Sequence, residues 1–216
     1  MALPTLVIGN KNYSSWSLRP WLALRAAGIP FAELRIPLYR PESKAEILRH
    51  SPSGKVPALV EGGLVTHESL AICERAAELA PTAGLWPSDA AARSVARSLS
   101  CEMHAGFLAL RSLCPCNLRA RATRALTPEA AADVARVTAI WKETRARFGV
   151  AGDFLFGRFG IADAMFAPVV TRFRTWGIPF DPAVRGYAEA VRGCPPFREW
   201  EEAALGDTER IASSEP

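Results

Sequence analysis

Apolar positions change period repeatedly through residue 80 and keep a helical period from residue 90 onward. Leu3 to Gly9 is a short apolar run ending in glycine, the pattern of a buried strand. Asn10 to Ser15 is polar turn chemistry, and from Ser17 the positions Leu18, Trp21, Leu22 and Leu24 fall near helical spacing. Gly28 and Pro30 stop that helix, glycine just past its end and proline beyond. Ala32, Leu34 and Ile36 then alternate with Glu33 and Arg35, which predicts a second strand over Phe31–Pro37. Ser43 to His50 reads as a short amphipathic helix. Lys55–Val60 and Leu64–Thr66 flank Glu61-Gly62-Gly63, a hairpin signal, and Ser69 to Ala80 is a helix with a polar start.

The predicted order is βαβαββα over residues 1–80. Its strand–helix–strand unit implies a parallel pairing, and the hairpin adds an antiparallel one. Pro81 to Asp89 has the proline, glycine and serine content of a linker. Beyond it the pattern predicts helices over Ala90–Leu113, Pro128–Phe148, Ile161–Trp176, Pro182–Val191 and Pro195–Ala204, and no strand. Mixed elements followed by helices alone indicate an α+β chain of two domains, 1–80 and 90–216. Their apolar faces are expected to dock through an apolar seam. The polar tail from Gly206 to Pro216 is expected to fray.

Composition narrows the class of protein. The chain has 216 residues, of which 49% are hydrophobic and 22% charged, ample for a buried core and unlike a disordered chain. A formal charge of +4 is mild, and the basic residues are not interleaved with aromatics, which argues against a nucleic-acid partner. No apolar run approaches the roughly 18 residues of a membrane span. The segment Met1 to Thr5 lacks the features of a secretory signal. Five cysteines without framework spacing suit a reducing, cytoplasmic setting.

Three features of the first domain carry chemistry. Tyr13-Ser14-Ser15-Trp16-Ser17-Leu18-Arg19 is a polar loop running into a helix. Backbone amides at a helix start favour negative charge, and a serine hydroxyl there can donate to an anion; equally, either serine can simply cap the helix. Lys55-Val56-Pro57 opens the hairpin. Its X–Pro bond can be cis or trans, and either way the proline does not extend a central ladder. The Val56 main chain would then be open to an extended ligand. Glu68-Ser69 precedes the third helix, where Ser69 can cap and Glu68 can accept from an ammonium.

Taken in order, Ser14-Ser15-x-Ser17-x-Arg19, Ser53-Gly54-Lys55-Val56-Pro57-Ala58-Leu59 and Glu68-Ser69-Leu70-Ala71-Ile72 resemble the cytosolic glutathione transferases, with a serine-type, zeta-like first loop. The resemblance covers nearly the whole chain. It implies a thioredoxin-like N-terminal domain, an all-helical C-terminal domain, glutathione as cosubstrate, no metal, a homodimer, and a hydrophobic electrophile as acceptor. On the matching positions, Ser14 corresponds to the hydroxyl donor to sulfur, with Ser15 as the alternative. Val56 corresponds to the backbone partner of the cysteinyl unit, next to a cis Pro57. Lys55 would approach the glycyl carboxylate, and Glu68 with Ser69 would hold the γ-glutamyl end. Tyr13 and Trp16 flank the serines and are candidates for the acceptor pocket.

Two positions depart from that pattern. Zeta-class loops, associated with maleylacetoacetate isomerisation, carry cysteine where this chain has Trp16. In Gly160-Ile161-Ala162-Asp163 glycine replaces the usual Ser or Thr, so Asp163 can bond the Gly160 amide without the reciprocal hydroxyl bond and is a folding residue. Cys114-Pro115-Cys116 offers too few ligands for zinc and reads as inert thiols. Arg19 sits in a first helical turn, where a cation is unfavourable, so an acidic partner is expected. His104, Phe107 and Arg111 share helical spacing and could face the acceptor pocket or the core. Glutathione-dependent isomerisation, disulfide reduction and non-catalytic binding stand beside transfer as readings of the same fold.

Overall fold

The computed structural model describes residues 3–216, so Met1 and Ala2 of the N-terminal segment lie outside it. Strands β1 (Thr5–Ile8), β2 (Ala32–Arg35), β3 (Ala58–Glu61) and β4 (Leu64–His67) form one sheet in the order β2-β1-β3-β4. β1 pairs parallel with β2, in register Thr5 to Ala32, and antiparallel with β3; β3 and β4 form the expected hairpin. Gly62 turns it with φ +61°, a conformation glycine adopts without steric cost.

Helices α1 (Ser15–Ala26) and α3 (Ser69–Leu79) cover one face of the sheet, and α2 (Ser43–Leu48) supplies Ile47 to a small core with Val7, Ile36 and Ala58 on the other. Leu6 and Ile8 point to the larger core and are fully buried, each gaining about 1.5–3 kcal/mol from burial. That core runs without interruption from Leu6, Leu18 and Ile72 to Trp141, Phe166 and Trp176. The two halves therefore dock through an apolar seam, with α1 packed on α7 (Ile161–Thr175). α7 is buried along nearly its whole length. Its Asp163 accepts from the Gly160 amide at 2.8 Å and the Leu155 amide at 3.0 Å, the folding role expected of it.

The remaining helices are α4 (Ala90–Ala105), α5 (Leu108–Leu113), α6 (Pro128–Phe148), α8 (Pro182–Gly193) and α9 (Pro195–Leu205). Among the described residues no strand follows β4; Phe154–Gly157 and Phe156–Arg158 make only isolated bridges. No helix of the described residues is long and apolar enough to cross a membrane.

Two expectations fail here. The single helix predicted over Ala90–Leu113 is broken, because Gly106 is extended and Phe107 takes a left-handed φ of 60°. Apolar spacing continues through the break and so conceals it. Arg111 Nη1 closes it by donating to the carbonyls of His104 (3.3 Å) and Gly106 (3.1 Å), and Asp133 accepts from the Leu110 amide at 2.9 Å. The tail is also docked rather than frayed. Ile211 is buried, Glu209 pairs with Arg35 and Arg40, and Asn117 Nδ2 donates to the Ser214 carbonyl at 3.1 Å. A polar segment gives no apolar signal for such docking, which here rests on charge.

Candidate functional site

β1 ends at Ile8, and Asn10–Tyr13 turns the chain into α1. Ser14 is the N-cap: its Oγ accepts from the Ser17 amide at 3.3 Å and donates to Ser17 Oγ at 2.7 Å. Its proton is thereby committed within the cap. Ser15 is the first residue of the helix, and its Oγ accepts from Arg172 Nη2 at 3.3 Å. Among the described residues no protein group accepts the Ser15 proton. Ser15 lines a cleft of about 520 Å³ between the two halves, together with Ser14, Trp16, Val56, Arg111 and Arg172.

Lys55 and Val56 line that cleft as well. The Val56–Pro57 bond is cis, as the resemblance implies, and Pro57 itself is buried behind it. Neither the amide nor the carbonyl of Val56 takes part in a main-chain hydrogen bond among the described residues. Tyr13 lines the cleft as well, but its hydroxyl is taken up by the tail. It bonds the Glu209 carbonyl at 3.2 Å and the Glu215 carboxylate, and accepts from Arg119 Nη2 at 2.8 Å. Burial and Glu215 both raise its pKa.

Glu68 and Ser69 stand outside this lining, reached by way of His104, whose ring meets Trp16 edge-on at 5.1 Å. The capping expected of Ser69 is not what forms. Glu68 holds the N-cap position of α3 with no side-chain cap bond, and Ser69 is the first helical residue, fully buried, 3.5 Å from Arg19 Nη1. Glu68 has φ +73°, a conformation costing a non-glycine residue on the order of 1–3 kcal/mol and concentrated at ligand clamps. Its carboxylate is exposed and lies 3.4 Å from His104 Nε2. Burial, then Arg19, lowers the pKa of His104.

Arg19 departs most from expectation. It is 1% exposed and forms no ion pair among the described residues. Its guanidinium stands over Trp16 at 4.3 Å, and its Nε is buried without a partner. Burial, with Arg111 and Arg172 nearby, lowers its pKa to about 9. Arg111 covers the same indole at 4.6 Å. The His104, Phe107 and Arg111 stripe is split by the helix break: His104 and Arg111 reach Trp16, while Phe107 is buried in the core. Cys114 and Cys116 are buried free thiols with pKa raised by that burial. No cluster of metal-ligating side chains occurs among the described residues.

Arg172 was not visible in the pattern of the chain. It interrupts an apolar helix, but so does Arg174 two residues later, which pairs with Glu201. Only the packing of α7 on α1 tells the two apart.

Comparison with known proteins settles the family. The profile of the glutathione S-transferase N-terminal domain matches residues 13–79, and that of the glutathione S-transferase C-terminal domain matches residues 120–203. The chain belongs to the glutathione S-transferase family. A probable maleylacetoacetate isomerase of Caenorhabditis elegans is 33% identical over 110 residues, which span 51% of this chain and 50% of that relative. The chain thus matches about half the length of that curated relative. Among solved structures, a Burkholderia glutathione transferase homologue with bound glutathione superposes with TM-score 0.70 at 23% identity, covering 94% of this chain and 98% of the other. A Tau class glutathione S-transferase from mango, Mangifera indica, gives 0.73 at 18% identity, covering 94% and 96%. At these identities the likeness is one of fold, and it covers both halves of the glutathione S-transferase architecture.

Proposed function

We propose that this chain is a glutathione transferase that binds glutathione across the cleft at the start of α1 and holds its sulfur as thiolate for attack on an electrophile. The observation that carries this reading is the Ser15 hydroxyl. Its proton is free, its oxygen is held by the buried Arg172, and it sits where the amides of α1 favour negative charge. Stabilising the charged form lowers the thiol pKa. Ser14, whose proton lies in the cap, shapes the loop and is the alternative donor. Val56 pairs its open main chain with the cysteinyl unit, Lys55 approaches the glycyl carboxylate, and Glu68 with the Ser69 amide receives the γ-glutamyl end. The electrophile rests on the apolar faces of Trp16 and Pro115. The same reading takes the protein as a cytoplasmic homodimer, an expectation that sedimentation analysis checks.

Isomerisation with glutathione is the second reading, supported by the isomerase relative. Trp16, in place of cysteine, fills space beside the sulfur position and weakens it. Disulfide reduction has less support, since Cys116 at the cleft and Cys114 near it in the chain are buried, with thiol pKa raised by that burial.

Calorimetric titration with glutathione tests the binding step. Glu68→Ala is expected to weaken binding about tenfold, the lower end of the range for hydrogen bonds to charged groups, because its side chain is 47% exposed. Unchanged affinity removes Glu68 from the site, and no binding by the unaltered protein removes the reading as a whole.

A further inference from the structure

The charge of the cleft is one-sided. Its lining includes Arg40, Lys44, Lys55, Arg111 and Arg172 and contains no aspartate or glutamate. Three of these have a role in the peptide half of the site or a partner nearby. Arg40 pairs with Glu209, Lys44 donates to the Gly54 carbonyl at 3.2 Å, and Lys55 stands on the wall assigned to the glycyl carboxylate. Arg111 and Arg172 remain, the latter bonded to Ser15 Oγ.

Neither of these two arginines makes an ion pair among the described residues. Arg172 is 4% exposed, and its three nitrogens donate only to neutral oxygens: the Cys114 carbonyl at 2.9 Å, the Pro168 carbonyl at 3.4 Å and Ser15 Oγ. Arg111 spends Nη1 on the carbonyls at the end of α4, which fixes its guanidinium over Trp16 and leaves its other nitrogens uncommitted. Arg19 lies on the same indole, also without a carboxylate. Charged side chains as deeply buried as Arg172 and Arg19 are ordinarily paired, because removal from water is costly. The guanidiniums of Arg19 and Arg111, both over Trp16, repel each other as well. Burial is the main cause of the lowered pKa of all three; Arg172 adds to it for Arg111, and Arg111 and Arg172 add to it for Arg19. Such an arrangement is suited to an anion that is absent from the protein itself. The planar fork of arginine favours a carboxylate, and the indole beneath favours a flat, apolar body attached to it.

We propose that the acceptor side of the cleft is an anion subsite, with Arg111 as its specificity-determining residue and Arg172 behind it, and that the electrophile is a small molecule carrying a carboxylate on an unsaturated or aromatic frame. The subsite rests on the glutathione transferase reading for its orientation, because that reading assigns Lys55 and Val56 to the peptide. The expected hydrophobic electrophile is thereby refined: its apolar part lies on Trp16, and its charge lies against Arg111. Burial, then Arg19, lowers the pKa of His104, whose ring meets the same indole.

The test compares 4-chloro-3-nitrobenzoate with its methyl ester, which share a ring and differ in charge. Each is titrated calorimetrically into the protein, alone and with saturating S-methylglutathione, whose blocked sulfur cannot react. The acid is expected to bind at least tenfold more tightly than the ester. Arg111→Gln is expected to abolish that preference while leaving S-methylglutathione affinity unchanged, and Arg111→Lys to keep most of it. Equal affinities for acid and ester in the unaltered protein overturn the subsite with no variant needed. A preference that survives Arg111→Gln overturns the assignment of Arg111. If S-methylglutathione fails to bind while the acid is still preferred, the glutathione reading fails and the anion subsite stands.

Discussion

Replacing Ser15 with alanine is expected to raise the thiol pKa of bound glutathione by about one to two units and to lower kcat/KM about ten- to a hundredfold near pH 6.5. Each pKa unit corresponds to about 1.4 kcal/mol of differential stabilisation, and a hydrogen bond to a charged group is worth about 1.5–3 kcal/mol. The thiolate absorbance of the complex, followed against pH, measures the first quantity directly. Ser14→Ala is expected to act differently. It removes an N-cap, costing about 1 kcal/mol of stability, and leaves the sulfur with its donor. Melting curves and the titration together separate the two serines. A large pKa effect from Ser14→Ala with none from Ser15→Ala reverses their roles. No effect from either leaves the amides of α1 as the sole stabiliser and favours a binding protein over an enzyme.

Asp163→Ala is expected to destabilise the fold by about 2–6 kcal/mol without altering glutathione affinity in the molecules that remain folded. The substitution leaves two buried amides, those of Leu155 and Gly160, without an acceptor, at about 1–3 kcal/mol each. The carboxyl also sets a pH dependence. Burial raises its folded pKa to about 7, against about 3.9 when unfolded, although both amide bonds pull the other way. Folding therefore favours the protonated form. The stability it contributes is fully present below about pH 4 and is lost as pH rises through about 7. Urea unfolding at pH 5 and pH 8 measures that loss, and Asp163→Asn is expected to shrink it. A stability that rises between those two values, and does so because of Asp163, contradicts the raised pKa.

The secondary structure was legible wherever pattern and punctuation agreed. The strand alternation at Ala32–Ile36, the hairpin at Gly62-Gly63 and the Pro128 start of α6 needed no tertiary information. The break at Gly106-Phe107 was not legible, because apolar spacing continues through it and the stop is made by Arg111 folding back onto carbonyls. The ordered motifs around Ser14, Val56 and Glu68 marked the residues to which the proposed function gives the peptide. The proposed anion subsite was hidden, since Arg111 comes from α5 and Arg172 from α7 and the two meet only in the folded cleft. The acidic partner expected for Arg19 followed from helix electrostatics alone. That reasoning could not foresee an aromatic face serving in its place.

The break between α4 and α5 has a consequence for how such a site can change over generations. Arg111 is held by two carbonyls at the end of one helix rather than by Lys55 or Val56. Lengthening or shortening that elbow by one residue would swing a different side chain over the indole and leave the residues of the proposed glutathione site untouched. Selection could therefore retune what the cleft accepts through a single hinge, independently of what activates the sulfur.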